Sequence, residues 1–160
     1  MLIFDIDLTL IQSIIDGEKI QINIRPYIKK LFNYLNHYNI DYAFWSLGNC
    51  HYIKCVMNYL SKIIILKPFF ILTKQDNLYI DLKSHIQIPI IKINNIEIKK
   101  IDSLFPFYNY LTLENTILID DNIHHILCNA SKNVYHIQSW CKEDIYDREL
   151  EILLRRIRFI

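Results

Sequence analysis

Short apolar runs ending on polar residues alternate along the chain with stretches of helical periodicity. Leu2–Phe4 is such a run and meets Asp5, the pattern of a buried strand whose end carries polar groups. Ser13 to Ile24 alternates loosely about Asp16-Gly17, a pair suited to a hairpin turn. Pro26 sits where a helix can start, and Ile28, Leu31, Phe32 and Leu35 follow at helical spacing. Tyr42 to Trp45 predicts a short buried strand ending at Ser46. Asn49 is a candidate N-cap for a second helix, with Ile53, Val56, Met57 and Leu60 on one stripe. Ile63 to Leu66 predicts a further strand. At about 69–98 the pattern turns β-like, with turns at Asp76-Asn77 and Asn94-Asn95, predicting a small β-rich insert. Ile117 to Ile119 predicts a strand ending on Asp120-Asp121, and Ile123, Ile126 and Leu127 a short helix. Val134 to Ile137 predicts a last strand and about Asp144 to Ile157 a closing helix.

Strands alternating with helices predict a single α/β domain over 1–160, a Rossmann-like three-layer fold with a parallel sheet covered on both faces. Such sheets bind ligands outside the carboxyl ends of their strands. Three polar signals fall at such ends: Asp5 with Asp7, then Ser46, then Asp120 with Asp121.

Composition narrows the function classes. The chain has 160 residues, 52% hydrophobic and 22% charged, and a formal charge of +1, which suits a globular domain and gives no bulk attraction for nucleic acid or anionic membrane. Its two glycines, Gly17 and Gly48, are too few for a GxGxxG fingerprint or a GxxxxGK[ST] phosphate loop. No run of apolar residues is long enough to span a bilayer, and Asp5 and Asp7 interrupt the first one, so no signal peptide is expected. Cys50, Cys55, Cys128 and Cys141 form no CxxC pair and no zinc spacing; reduced, mostly buried thiols in an intracellular compartment are expected. Abundant Ile, Asn, Lys and Tyr read as the codon bias of an AT-rich genome, such as a large DNA virus or a parasite, and carry no functional signal.

Asp5-Ile6-Asp7-Leu8-Thr9 is a DxDxT pattern that a shuffled chain of this composition would give about 0.02 times. Carboxylates at i and i+2 of an extended segment point the same way and can share one site with different roles. Asp120-Asp121 adds two adjacent like charges at the end of a buried strand, which repel unless a cation compensates. Ser46 alone would pass for a turn or cap residue, and Lys99 or Lys100 for a solvated charge. His124-His125 has no metal-ligand spacing and reads as surface; His51 to Cys55 reads as a helix face. Arg155, Arg156 and Arg158 read as a solvated face near a helix C-terminus, and Trp140 as a core residue pinning the last helix.

DIDLTL resembles the first motif of the haloacid dehalogenase superfamily of phosphotransferases, with Ser46, a lysine at 99 or 100 and ILIDD following in the superfamily's order. Arg25-Pro26, IKKIDSL, IDDN and Ser139-Trp140 are similar to the RNA polymerase C-terminal-domain phosphatase family, also called NLI-interacting-factor-like phosphatases. The resemblance implies the haloacid dehalogenase fold and a Mg²⁺-dependent serine/threonine phosphoprotein phosphatase. It implies Asp5 as nucleophile, Asp7 as acid and base, and Ser46 with Lys99 (Lys100 as alternate) holding the phosphoryl oxygens. Mg²⁺ would be bound by Asp5, Asp120 and the carbonyl of Asp7, with Thr9 and Asp121 nearby. The implied partner is a phosphopeptide like the polymerase tail, in cytoplasm or nucleus (of the host cell, if the source is viral). Nucleic acid and membrane are not expected partners, the oligomeric state is open, and a bare catalytic domain is expected. Two rival readings are a same-superfamily phosphatase for small esters or phosphotyrosine, and a non-catalytic adaptor using the fold.

Overall fold

The computed structural model describes residues 1–17 and 19–158. Strand β1 (Leu2–Phe4) sets the layers, because successive side chains of a strand face opposite sides. Leu2 and Phe4 join one core cluster, Ile3 the other. The hairpin β2 (Ile11–Asp16) and β3 (Lys19–Ile24) follows, turning at Gly17 with φ +59. Helix α1 (Ile28–His37) buries Ile28, Leu31, Phe32 and Leu35. It starts two residues after Pro26 because Tyr27 takes φ 66 and breaks the helical path.

Strand β4 (Tyr42–Asn49) runs past Ser46 with a register shift between Trp45 and Asn49, so only its first half is a buried strand. Helix α2 (Cys50–Ser61) is capped by Asn49 and buries Ile53, Val56 and Leu60. Ile63–Leu66, expected as a strand, is not one: the Ile63 and Ile64 amides bond back to the Leu60 carbonyl at 2.9 Å and close the helix. The next strand is β5 (Ile71–Gln75), parallel to β4. Antiparallel β6 (Leu78–Asp81) and β7 (Gln87–Pro89) extend the sheet. A separate hairpin, β8 (Ile91–Ile93) and β9 (Ile96–Ile98), turns at Asn94 and Asn95 with φ 51 and 65, the left-handed pair that a two-residue turn needs.

After a 3-10 turn at Ile101–Leu104 come β10 (Ile117–Asp120), the one-turn helix α3 (Ile123–Ile126), β11 (Val134–His136) and helix α4 (Glu149–Ile157). Residues 144–148 stay outside α4, because the Asp144 carbonyl accepts from Trp140 Nε1 at 3.1 Å and Asp147 reaches back to Arg25. The sheet order is β11-β10-β1-β4-β5-β6-β7, mixed but parallel from β11 to β5. Side chains of α1, α2 and α4 fill one face. Ile101, Leu104, Tyr108, Leu111 and Ile126, from short turns instead of a long helix, fill the other.

The cysteines are free, as expected, yet not mostly buried: Cys128 and Cys141 are exposed, and Cys50 and Cys55 half-buried. Cys141 follows Trp140 in a loop where the indole takes the inward position, and Cys128 lies beyond the buried Ile126. No helix among the described residues is long and apolar enough to cross a membrane.

Candidate active site

β1 is where the chain order reverses: β4 pairs on one side of it and β10 on the other. At such a switch point the loops leaving neighbouring strands diverge and open a crevice. Asp5 follows β1, its amide bonded to the Ile119 carbonyl at 2.8 Å, and Asp120 ends β10. Lys99 enters just after β9, its amide donating to the His125 carbonyl at 2.8 Å and its carbonyl accepting from Asn129 Nδ2 at 2.7 Å. Its Nζ donates to Asp5 Oδ1 in a short hydrogen bond and to Asp120 Oδ2 at 2.7 Å. The Lys99 side chain is 0% exposed.

Burial alone would penalise the Lys99 ammonium, but the two carboxylates outweigh it and hold its pKa above the ordinary lysine value. Burial likewise works to raise Asp120, yet the Lys99 charge and the His125, Lys99 and Asn122 hydrogen bonds bring it down to about 2. Burial raises Asp5 to about 7 despite Lys99, with Asp120 and Asp121 adding repulsion. Asp5, Asp120 and Asp121 each offer a carboxylate oxygen, all within 4.8 Å of one another. One ammonium among these carboxylates and Asp7 leaves the pocket negative, and an all-oxygen donor set suits a hard divalent cation such as Mg²⁺.

The folded protein keeps a proton on Asp5 that the unfolded chain releases between the ordinary carboxylate range and about pH 7. Stability without metal therefore falls as pH rises through that window. Asp120, depressed to about 2, acts oppositely: its contribution is present above the ordinary value and lost as pH falls towards about 2. Calorimetry of metal-free protein at pH about 5 and about 8 should give the lower Tm at the higher pH, and Mg²⁺ should remove the difference by favouring ionised Asp5. A metal-free Tm that rises over that range would refute this charge balance.

Asp7 lies two residues on, in a loop that turns sharply at Leu8, φ 59. A leucine there costs about 1–2 kcal/mol, so the conformation must be imposed by its surroundings. The Leu8 carbonyl accepts from the Trp140 amide at 2.8 Å and from Arg25 Nη1 at 3.4 Å, and Arg25 Nη1 also reaches the Thr9 carbonyl at 3.0 Å. Thr9 Oγ1 bonds the Asp121 carboxylate at 3.2 Å and its amide at 3.1 Å, tying the two acidic motifs together. Burial raises the Asp7 carboxyl above its ordinary value, against hydrogen bonds from Tyr52 and Ser13. Ser46 is buried; its Oγ accepts from the Gly48 amide at 2.9 Å, leaving the hydroxyl proton to point elsewhere. Asp5, Asp7, Ser46, Asp121 and His125 line a cavity of about 200 Å³, and Leu47 and Gly48 line both it and a groove of about 700 Å³.

The family model described as NLI interacting factor-like phosphatase matches residues 1–160. The chain belongs to this family. Among solved structures, a variant of the fission yeast RNA polymerase II CTD phosphatase Fcp1 bound to beryllium fluoride matches with a TM-score of 0.54 and 14% identity, over 97% of this chain and 50% of that one. At that identity the likeness is one of fold, and the chain spans about half the length of that structure's chain. No curated protein matches the sequence. This member of the NLI interacting factor-like phosphatase family has a mixed α/β fold with a mostly parallel central sheet.

Of the two candidate lysines of this phosphatase, Lys99 sits between Asp5 and Asp120, while Lys100 is 41% exposed and pairs with Asp102 at 3.2 Å. His125, read from the sequence as surface, lies on the cavity wall with Nδ1 3.8 Å from Asp120 Oδ1, because α3 is a single turn leaving the end of β10. His124 is exposed as expected. Arg155 pairs with Glu151 at 3.1 Å, and Arg156 and Arg158 lie over the Tyr135 and Tyr34 rings, away from the residues that line the cavity. Sequence reading missed Ser13, Tyr52, Asn129 and the Arg25–Asp147 pair. Tyr52 lies at the edge of the apolar stripe of α2 and packs against the same core, and no local pattern indicates what its hydroxyl meets.

Proposed function

We propose that this phosphatase hydrolyses phosphoserine or phosphothreonine in a protein chain, with Mg²⁺ and through an aspartyl-phosphate on Asp5. The observation that carries the reading is Lys99 buried between Asp5 and Asp120, with Asp5 and Asp7 together on the wall of one cavity. Asp5 attacks phosphorus as the ester P–O bond breaks, and Asp7 gives the leaving alkoxide a proton. Asp7 then takes a proton from the water that displaces phosphate from Asp5. Lys99 and the Ser46 hydroxyl hold phosphoryl oxygens throughout. Asp5, Asp120 and the Asp7 carbonyl would hold the Mg²⁺, with Asp121 in reach. Bound there, the ion would offset charge on the transferring phosphoryl group.

The groove supports a peptide over a small ester. It shares Leu47 and Gly48 with the cavity and is lined further by Ile15, Asn49, His51, Lys74 and Gln75, room for residues flanking the phosphate. A tail-like peptide of RNA polymerase II is the substrate class that the family resemblance adds.

The test compares a phosphoserine peptide with free phosphoserine and p-nitrophenyl phosphate, with and without Mg²⁺. Turnover should need Mg²⁺, and kcat/KM should be at least about 10-fold higher for the peptide than for free phosphoserine. Lys99→Ala should lose about 10²–10³-fold in kcat, as expected for a charge on the transferring group, and Lys100→Ala less than about 3-fold. A folded, Mg²⁺-supplied protein that cleaves none of the three would overturn the proposal.

A further inference from the structure

Asn49 caps α2 by accepting the Tyr52 amide at 2.9 Å, which puts Tyr52 in the first turn. Gly48 seats its ring: a Cβ at Gly48 would lie 2.7 Å from Tyr52 Cδ1 and 3.0 Å from Ile53 Cδ1. The Tyr52 hydroxyl makes a short hydrogen bond to Asp7 Oδ1 and lies 2.7 Å from Ser13 Oγ. Ser13, from strand β2, donates to the same Asp7 oxygen at 3.1 Å. Two elements, α2 and β2, thus converge on one carboxylate oxygen. Asp7 Oδ2 has no hydrogen-bond partner among the described residues, and Asp7 lines the cavity.

We infer that Tyr52, backed by Ser13, is a positioning residue that holds Asp7 by Oδ1 and so confines the transferable proton to Oδ2. The inference rests on the reading of Asp7 as the acid–base group. As the ester P–O bond breaks, the proton on Oδ2 passes to the departing alkoxide oxygen, and the negative charge left on the carboxylate is met at Oδ1 by hydroxyl donors. When water attacks the phosphoryl group, Oδ2 takes back one proton, the new P–O bond forms, and the bond to Asp5 breaks to release phosphate. A carboxyl free to rotate would present either oxygen, with the proton on the wrong one part of the time. Fixing it supplies orientation without altering the nucleophile.

Leaving-group dependence tests this. p-Nitrophenolate leaves without a proton, whereas a serine alkoxide needs one. Pre-steady-state release of the alcohol isolates the first half-reaction for p-nitrophenyl phosphate and a phosphoserine peptide. Tyr52→Phe should lower the peptide-to-aryl ratio of burst rates by roughly 10- to 100-fold, in rate and not in KM. Asp7→Asn should lower the same ratio further, by about 10²–10⁴-fold. Ser13→Ala should act in the same direction more weakly, with Ser13→Thr restoring the ratio. Tyr52→Phe keeps the ring against Gly48, so an unchanged Tm confirms that the fold is intact. Equal losses on both substrates, or a loss confined to KM, would overturn the positioning role. Asp7→Asn without leaving-group dependence would overturn the acid–base reading itself, and this inference with it.

Discussion

Asp5→Asn is expected to abolish turnover, by more than about 10³-fold, while leaving the fold intact or slightly more stable. The two halves of that expectation have separate causes. An amide nitrogen or oxygen cannot form the acyl-phosphate that a carboxylate oxygen forms, so no route through Asp5 remains. The fold should tolerate the change because the Asp5 carboxylate is an electrostatic burden in metal-free protein, where burial raises it to about 7. Asparagine keeps the volume and can still accept from Lys99, and it removes one negative charge from a cluster whose carboxylates lie within 4.8 Å. Kinetics with saturating Mg²⁺ and calorimetry without it should therefore move in opposite senses. Residual activity above about one part in a hundred would mean that another group attacks phosphorus. A drop in metal-free Tm would mean that the Asp5–Lys99 attraction outweighs the burial cost.

Arg25→Met should destabilise the protein by about 3–5 kcal/mol, the usual cost of orphaning one member of a buried ion pair. For a chain of this size that lowers Tm by about 6–20 °C. The side chains of Arg25 and Asp147 are 0% and 4% exposed, and the pair is bidentate, with Nε to Oδ2 at 2.9 Å and Nη2 to Oδ1 at 2.7 Å. Methionine fills similar space but leaves the Asp147 charge unpaired in the interior. It also strips a donor from the Leu8, Thr9 and Gln138 carbonyls, which Arg25 serves at 3.4, 3.0 and 2.7 Å. The consequence reaches the chemistry, since Arg25 shares with the Trp140 amide the task of tying down the carbonyl of Leu8, which holds a left-handed conformation between Asp7 and Thr9. Asp147→Asn keeps one acceptor for the guanidinium, which still serves three backbone carbonyls, and should cost less than Arg25→Met. Urea unfolding orders the two variants. A Tm loss under about 3 °C for Arg25→Met would show that the pair is dispensable.

The order of elements could be read from the chain because it depends on local periodicity. The apolar run Leu2–Phe4, the stripe Ile28-Leu31-Phe32-Leu35 and the run Ile117–Ile119 have the burial their spacing implies. Where packing overrode periodicity, the reading failed: Ile63–Leu66 closes α2, and residues 144–148 give their polar groups to Trp140 and Arg25 before α4 starts. Both segments carry a plausible local pattern, but distant partners claim their backbone or side chains.

By itself, the sequence determined that Asp5 with Asp7 and Asp120 with Asp121 stand where strands end, since two-residue periodicity and strand termini are properties of a few neighbouring residues, whereas Ser46 lies inside β4. Only the tertiary structure decided which lysine meets them. Lys99 and Lys100 are chemically alike, and the choice falls to the His125 carbonyl and Asn129, which grip the Lys99 backbone and turn its side chain inward. The same holds for Tyr52, 45 residues from Asp7, and for Arg25, 122 residues from Asp147. Charges and hydroxyls so far apart interact only after the chain has buried them together, and water screens them from one another until then.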